Sequence, residues 1–262
     1  MSGSTQVSLI PAERHRRIVE YIEARRSAKI EELAQALGAS PATIRRDLDR
    51  LAARGVISRT HGGAVLATAS TAFEQLYPEK KRIHAAEKRR IGVEAASLVA
   101  DGETLILDSG STTLEIARNL TRRKNLTIIT NDLFIACGVA FDPSTVLMVT
   151  GGVRREGFNV LIGPVAEDFL RQVSVNKTFL SADAVDLQHG VTNATFAEAA
   201  LKRLIIEAAQ EVVLVADHSK FGKAALAKVC PAERLHRVIT STGIPESLLK
   251  GFEKLGIPVT VV

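Results

Sequence analysis

Tryptophan is missing from the 262 residues, and tyrosine and phenylalanine bring the aromatic share to only 4%. With so few large flat side chains, a packed core has to be built from Leu, Ile, Val and Ala, and the 46% apolar content allows that. Only two cysteines occur, Cys137 and Cys230, far apart in the chain. They exclude a disulfide framework and a cysteine-based zinc module, and fit two reduced thiols in the cytoplasm. No apolar run approaches the ~18 residues of a membrane span. Met1 to Leu9 is mostly polar and lacks the apolar stretch of a secretory signal. Cytoplasmic localisation and no membrane partner are therefore expected.

What is present is unevenly charged. The net charge is +5, but residues 1–90 hold 17 Lys and Arg against 10 Asp and Glu, whereas 91–262 hold 17 against 19. A basic head on a slightly acidic body points to a polyanion partner for the head alone.

Three short helical patterns open the chain. Pro11 to Arg26 carries Ile18, Val19 and Ile22 at one-turn spacing. Ile30 to Leu37 sets Ile30, Leu33, Ala34 and Leu37 on one stripe, and Gly38 ends it as a left-handed C-cap would. Ser40-Pro41 then supplies an N-cap hydroxyl and a first-turn proline for a helix running to Arg54 and stopping at Gly55. Helix, tight glycine turn, helix is the pattern of a helix-turn-helix. In the third helix Ile44, Leu48 and Leu51 form the buried stripe. Ala42, Arg46 and Asp49 lie opposite, flanked by Thr43, Arg45 and Arg50. A small, basic face suits a major groove, where arginine grips guanine, and the free N–H groups near Ser40 suit a phosphate. Face geometry alone leaves open an ordinary solvated helix. Val56 to Arg59, a Thr60-His61-Gly62-Gly63 turn and Ala64 to Leu66 then read as a β-hairpin wing with Arg59 and His61 at its basic tip. His61 reads as a turn residue near phosphate, because no second ligand sits at metal-binding spacing.

These motifs resemble the winged helix-turn-helix of the DeoR family of bacterial regulators, of the glycerol-3-phosphate-regulon repressor type. The family carries a TIRRDL string on its recognition helix before a GxIxRxHGGA wing, found here at Thr43 to Leu48 and Gly55 to Ala64. The resemblance implies that Ser40, Thr43, Arg45, Arg46, Arg59 and His61 contact operator DNA.

The expected domains are a DNA-binding domain at 1–66, a linker at 67–90 and an α/β domain at 91–262. The linker holds a small-residue stretch and a dense charge run, PEKKR and AAEKRR, which reads either as a solvated face or as a linker helix near DNA or a partner copy. Beyond it, apolar runs at 104–108, 126–131, 145–152, 178–183, 211–217, 237–240 and 258–262 read as buried strands, most separated by helical segments. The alternation implies a mostly parallel sheet with helices on both faces and a ligand beyond the carboxyl ends of the strands. Asp108-Ser109-Gly110-Ser111-Thr112-Thr113, between a strand and a helix, offers hydroxyls and helix N–H groups to an anion, although an ordinary capped turn would look the same. Glu198 and Lys202 stand one helical turn apart and read as a salt bridge or a site pair. Lys220 and Lys223 flank a glycine after Asp217.

The second half is also similar to DeoR-type regulators, through LDSGSTTLEIARNL, TGGVRREGFNVLIGP, FLSADAVD, EAALKR and ADHSKFGK. That resemblance implies an effector domain with a fold like ribose-5-phosphate isomerase, sensing a phosphorylated sugar or polyol. Matched residue by residue, it nominates Asp108, Ser109, Gly110, Ser111, Thr112, Asn131, Gly152, Asp183, Glu198, Lys202 and Lys220 as the effector site. One departure is visible: family members commonly have Gly-Ala-Asp-Gly where this chain has Ser181-Ala182-Asp183-Ala184. An alanine methyl at 184 is expected to narrow that loop, so effector identity does not transfer. The expected protein is an operator-binding repressor, a homodimer or homotetramer, with no cofactor, no metal and no catalytic residues. Two other readings are weighed against it: a sugar-phosphate isomerase with an appended DNA-binding head, and a non-specific architectural DNA-binding protein. The latter leaves the large acidic body unexplained.

Overall fold

The computed structural model describes residues 10–262 except 26, 54–56, 61, 67–76 and 156. The expected helix end at Arg54-Gly55, His61 at the wing tip and the small-residue stretch of the linker lie outside the described residues. The chain divides into two compact units, Met1–Phe73 and Glu74–Val262.

The first unit comprises α1 (Pro11–Arg25), β1 (Ser27–Lys29), α2 (Ile30–Leu37), α3 (Pro41–Ala53), β2 (Ile57–Thr60) and β3 (Gly63–Leu66). Its core is aliphatic: Ile18 and Ile22 from α1, Ile30 and Leu33 from α2, and Ile44, Leu48 and Leu51 from α3 close on one another. Gly38 has φ 62° and ψ 33°, a left-handed conformation that lets its N–H reach the Ala34 carbonyl and end α2. Ser40 caps α3 by accepting the Thr43 N–H at 3.1 Å. The wing gains a strand that three residues are too few to announce: β1 pairs antiparallel with β3, giving the order β1-β3-β2. A buried ion pair adds to the apolar contacts. Asp47 on α3, only 2% exposed, accepts from Arg14 and sits 2.8 Å from His15 Nε2, tying α3 to α1.

The second unit begins with α4 (Tyr77–Arg82) and α5 (Ala85–Ser97), so residues 77–90, assigned above to a linker, are largely helical and cluster with this unit. The main sheet follows, in chain order: β4 (Thr104–Leu107), α6 (Ser111–Asn119), β5 (Thr127–Thr130), α7 (Leu133–Gly138) and β6 (Val146–Val149). The minor pair β7 (Val153–Arg154) and β8 (Leu161–Ile162) precedes α8 (Pro164–Leu170) and β9 (Val175–Leu180). Next come β10 (Ala184–Asp186), β11 (Gly190–Asn193), α9 (Phe196–Glu207), β12 (Ala209–Val215) and β13 (Ala227–Cys230). The chain ends with β14 (Arg237–Thr240), α10 (Glu246–Lys254) and β15 (Val259–Val261).

The seven-stranded sheet has the order β15-β14-β12-β9-β4-β5-β6, and every neighbouring pair is parallel. Its central strands alternate between two apolar layers, as a period of two requires. Leu105, Leu107, Phe179, Val213 and Val215 pack towards Ile91 of α5 and Ile116 of α6. Ile106, Leu180, Val212 and Leu214 pack towards Leu201 and Ile205 of α9 and Phe252 of α10. A small antiparallel sheet, β10-β11-β13, was not expected. No described helix is long and apolar enough to cross a membrane.

The strand order locates the ligand position. From β4 the chain steps outward through β5 and β6; from β9 it steps the other way through β12, β14 and β15. Between β4 and β9 the winding reverses, and the loops leaving their carboxyl ends part to leave a crevice.

Candidate functional site

Two candidate sites emerge, one in each unit. In the first, the capped start of α3 exposes Pro41, Ala42, Arg45 and Arg46, with Thr43 half-buried, while Ile44, Asp47 and Leu48 turn inward. Arg46 Nε lies 3.4 Å from the Ala42 carbonyl, which lays the side chain back along the helix. Arg59 on β2 stands 3.5 Å from both the Arg45 carbonyl and Asp49 Oδ1, bringing the wing strand beside the helix face. Ser40 spends its Oγ on the cap and on Thr43 Oγ1, at 2.9 Å. Five of the six expected DNA contacts thus lie on α3, at its cap or on the neighbouring strand; His61 is the sixth and is not described.

The second site is a pocket of about 70 Å³ at the reversal point. Gly110 and the first turn of α6 form one wall, with Ser109, Ser111 and Thr112. Asp183 follows β9; Glu198 and Lys202 come from α9; Lys220 comes from the turn after β12; Lys80 and Lys88 come from α4 and α5.

Beneath it lies a buried polar hub. Asp108 is 0% exposed and pairs with Lys202 Nζ. Ser181 donates from its N–H and its Oγ to Asp108 Oδ2, each at 2.9 Å, and its Oγ lies 2.9 Å from Lys202 Nζ. Lys202 and Glu198, one turn apart on α9, have different partners. Glu198 accepts from Asn193 at 2.9 Å and from Arg155, whereas Lys202 turns to Asp108 and Ser181.

The pocket lining sets four lysines, Lys80, Lys88, Lys202 and Lys220, against four carboxylates, Asp132, Asp183, Glu198 and Asp217. Lys80 Nζ lies 2.8 Å from Asp183 Oδ1. Burial works to raise the Asp183 carboxyl, but Lys80 and Lys220 outweigh it and hold the group well below the usual carboxylate range. Burial pushes the Lys88 ammonium down to about 8 against the pull of Asp217, while its protons go to the Lys80 and Ile83 carbonyls. Lys220 is lowered too, by burial first and by Lys80 next, and it has no ion-pair partner among the described residues. On the opposite side burial raises the Asp132 carboxyl to about 6, although it accepts N–H groups from Gly110, Phe134 and Ile135. Tyr77, stacked on Phe134 at 4.4 Å, presents a buried hydroxyl with no hydrogen-bond partner among the described residues.

Of the eleven nominated effector residues, Ser109, Gly110, Ser111, Thr112, Asp183, Glu198, Lys202 and Lys220 line the pocket. Asp108 sits behind them as the partner of Lys202. Asn131 and Gly152 are not brought in: Asn131 is 2% exposed after β5, and Gly152 follows β6. Gly152 has φ 112°, and a Cβ there would stand 2.6 Å from the Ile162 carbonyl, so close backbone packing accounts for the glycine. Ala184 begins β10, buried and away from the lining; within the departing tetrapeptide it is Ser181 that alters the site. Lys80, Lys88, Tyr77 and Asp132 were not nominated. The only signal for the lysines was the charge run at 78–90.

The first unit is therefore a winged helix-turn-helix and the second an α/β domain with a pocket lined by lysines and carboxylates, the architecture of a ligand-responsive DNA-binding regulator. Residues 14–70 match the DeoR-like helix-turn-helix domain and residues 83–242 the DeoR C terminal sensor domain. The chain is 36% identical over 251 residues to the HTH-type transcriptional regulator GlpR of Haloferax volcanii, covering 96% of this chain and 98% of that one. It is 36% identical over 250 residues to the transcriptional repressor AccR of Agrobacterium fabrum, covering 92% and 96%. It is 32% identical over 253 residues to the HTH-type transcriptional regulator GolR of Listeria innocua, covering 97% and 99%. The chain belongs to the DeoR family of transcriptional regulators. These relatives are named as regulators and a repressor, not as enzymes, which sets the isomerase reading aside. Among solved structures, ribose 5-phosphate isomerase A of Methanocaldococcus jannaschii aligns with 53% of this chain and 55% of its own at 20% identity, with a TM-score of 0.39.

Proposed function

We propose that this chain is a cytoplasmic repressor that holds operator DNA through α3 and the wing and releases it when a phosphorylated sugar or polyol fills the pocket of the second unit. The observation that carries the ligand class is Lys220: a largely desolvated cation on the pocket wall, without an ion-pair partner among the described residues, sharing the lining with the amino end of α6. An ammonium in that state is stabilised by a dianion, and the α6 N–H groups favour the same charge. Ser109, Ser111, Asp183 and Glu198 offer the acceptors and hydroxyls that a polyol chain needs.

The release mechanism follows from Lys80. A phosphate competes with Asp183 for the Lys80 ammonium, so binding exchanges an internal ion pair for a ligand contact and shifts α4. In chain order α4 is the first described element after the winged unit. A ~100-fold drop in operator affinity requires a coupling of only about 2.7 kcal/mol. On the DNA side, Arg45 and Arg46 enter the major groove and Arg59 meets the backbone. Two or four copies of the chain are needed to span half-sites about 34 Å apart.

The test is operator binding by the full chain, followed by fluorescence anisotropy on promoter fragments from its own locus, with a panel of sugar and polyol phosphates. One phosphorylated compound should release the DNA, while its dephosphorylated counterpart should not. Equal release by both members of a pair would sink the phosphate requirement. Binding that ignores operator sequence at physiological salt would favour the architectural reading instead.

A further inference from the structure

A second group of ionisable side chains lies at the margin of the pocket and takes no part in the function above. His84, Glu87, Asp217 and His218 each offer one donor atom, and these four atoms all lie within 4.8 Å of one another. His84 is the residue before α5, with φ 55° and ψ 32°, and Glu87 stands in the first turn of that helix. Asp217 and His218 follow β12. Only Asp217 of the four belongs to the lining of the anion pocket.

The arrangement is convergent. His84 Nδ1 and His218 Nδ1 each lie 2.9 Å from a different oxygen of Glu87. The two imidazoles meet edge to face with centroids 4.8 Å apart. Outer partners fix the donors: Ser241 Oγ donates to Glu87 Oε2 at 2.6 Å, and the Ser219 N–H donates to Asp217 Oδ1 at 3.1 Å. The His218 N–H in turn donates to Ser241 Oγ at 3.0 Å. Such backing is what holds metal ligands in orientation.

We propose that His84, Glu87, Asp217 and His218 form a binding site for a divalent transition-metal ion of the zinc class. Two imidazoles and two carboxylates complete a tetrahedral nitrogen–oxygen set, and the two negative charges balance a dication. The imidazoles disfavour magnesium and calcium, which take oxygen ligands. Zinc–ligand distances of about 2.0–2.2 Å leave neighbouring donors little more than 3 Å apart, so closure asks for side-chain rotation of about an ångström. To ligate through Nδ1, each neutral ring carries its hydrogen on Nε2 instead, so no net proton leaves. The resident competitor is Lys88, whose Nζ stands 3.8 Å from Asp217 Oδ2. Because its protons already serve the Lys80 and Ile83 carbonyls, it leaves Asp217 room to turn to the ion. The ion clamps the start of α5 to the turn that carries Lys220, stiffening one wall of the anion pocket.

The full chain is equilibrated with zinc, freed of excess ion, and its bound metal measured; cobalt(II) is then substituted and its visible spectrum recorded. One ion per chain and a strong, tetrahedral-type cobalt spectrum are expected. Both should vanish in the His84→Ala/His218→Ala double variant, whose fold is checked by circular dichroism. Both should persist in His189→Ala, which removes an exposed histidine paired with Asp186 and remote in sequence from the four ligands. If the double variant does not fold, His84→Asn replaces it, with metal affinity at least tenfold weaker expected. A wild-type chain that retains no zinc at micromolar concentrations overturns the proposal, as does a folded variant that binds zinc like the wild type.

Discussion

The residues that face the two proposed partners are kept in opposite conditions. On α3, Ser40, Arg45 and Arg46 stand exposed, as does Arg59 on β2, and only long contacts or a helix cap restrain them. Around the pocket, Asp108, Ser111, Thr112, Glu198 and Lys202 are all buried; Asp108 and Lys202 pair with each other, and Glu198 accepts from Asn193 and Arg155. The difference follows from the partners. A duplex is a rigid, dense polyanion whose released counterions supply the affinity, so its reader can leave arginines hydrated until contact. A small anion has to be drawn out of water. The groups that receive it are therefore desolvated beforehand, and they stay charged only because opposite charges neutralise them meanwhile.

The comparison breaks first at Asp108. Replacing it with alanine strands Lys202 as a buried, unbalanced cation, and breaking such a pair costs about 3–5 kcal/mol. In calorimetry of the full chain the transition of the second unit should fall by several degrees, whereas amide exchange in α1 and α3 should not change. A second unit as stable as wild type would show that the pair is not the anchor described here. The next effect belongs to the exposed side. Arg46→Ala should weaken specific operator binding by about 1–3 kcal/mol and flatten discrimination at the bases it meets. Stability should stay within about 0.5 kcal/mol, as for surface substitutions generally. Operator binding that survives unaltered would remove Arg46 from the reading face.

Between these extremes lies Lys220, which is largely desolvated like the hub but, like Arg45 and Arg46, makes no ion pair among the described residues. Lys220→Met should reduce affinity for the releasing phosphate by about tenfold, the scale of one charge-assisted contact. Unlike Asp108→Ala, it should leave the second unit as stable as before or more so, because it removes a cation whose desolvation, with repulsion from Lys80, outweighs the attraction of Asp183 and Asp217. Measured together, calorimetry and ligand titration separate the two kinds of lysine. A Lys220→Met chain that binds the phosphate normally would take the cation out of the site.

Legibility in the sequence divides along the same line. The seven parallel strands are readable because each leaves a short apolar run. The central ones, buried on both faces, leave uninterrupted aliphatic runs, as Leu105 to Leu107 and Val212 to Val215 do, while the edge strands β6 and β15 stay apolar although partly exposed. The face of α3 is readable because helical periodicity sorts Ile44 and Leu48 from Arg45 and Arg46 without reference to any other element. Lys80 is not readable in that way: its ion pair with Asp183 joins positions 103 residues apart, and locally it is one lysine in a charge run. Asp47 is hidden for the same reason, since a carboxylate amid arginines looks solvated until α1 arrives with Arg14 and His15. The strand-end rule gathered too many residues at Asn131 and Gly152. It treats all residues at a strand end alike, whereas at the end of β5 it is Asp132 that reaches the pocket while Asn131 is buried, and β6 stands two strands, about 10 Å, beyond β4 and the reversal point. The antiparallel strands β10, β11 and β13 are only three or four residues long, too short for alternation to show.

The smallest effect concerns acid, and it sets the buried carboxylate of the first unit against its exposed face. Burial alone would raise the Asp47 carboxyl, but hydrogen bonds and charge from Arg14 and His15 outweigh it and hold the group below the usual carboxylate range. A carboxylate lowered in this way binds its proton more weakly folded than unfolded. Its contribution is complete above the ordinary value of about 3.9 and is lost as pH falls through the folded value. Between pH 5 and pH 3, amide exchange in α1 and α3 of the full chain, corrected for the intrinsic rate, should therefore accelerate. In Asp47→Asn the same helices should exchange faster at pH 6 and show a shallower slope towards acid, because the titrating group is gone. An identical slope in wild type and variant would mean that Asp47 does not couple the two helices to pH, and that the basic face of α3 is positioned by its apolar stripe alone.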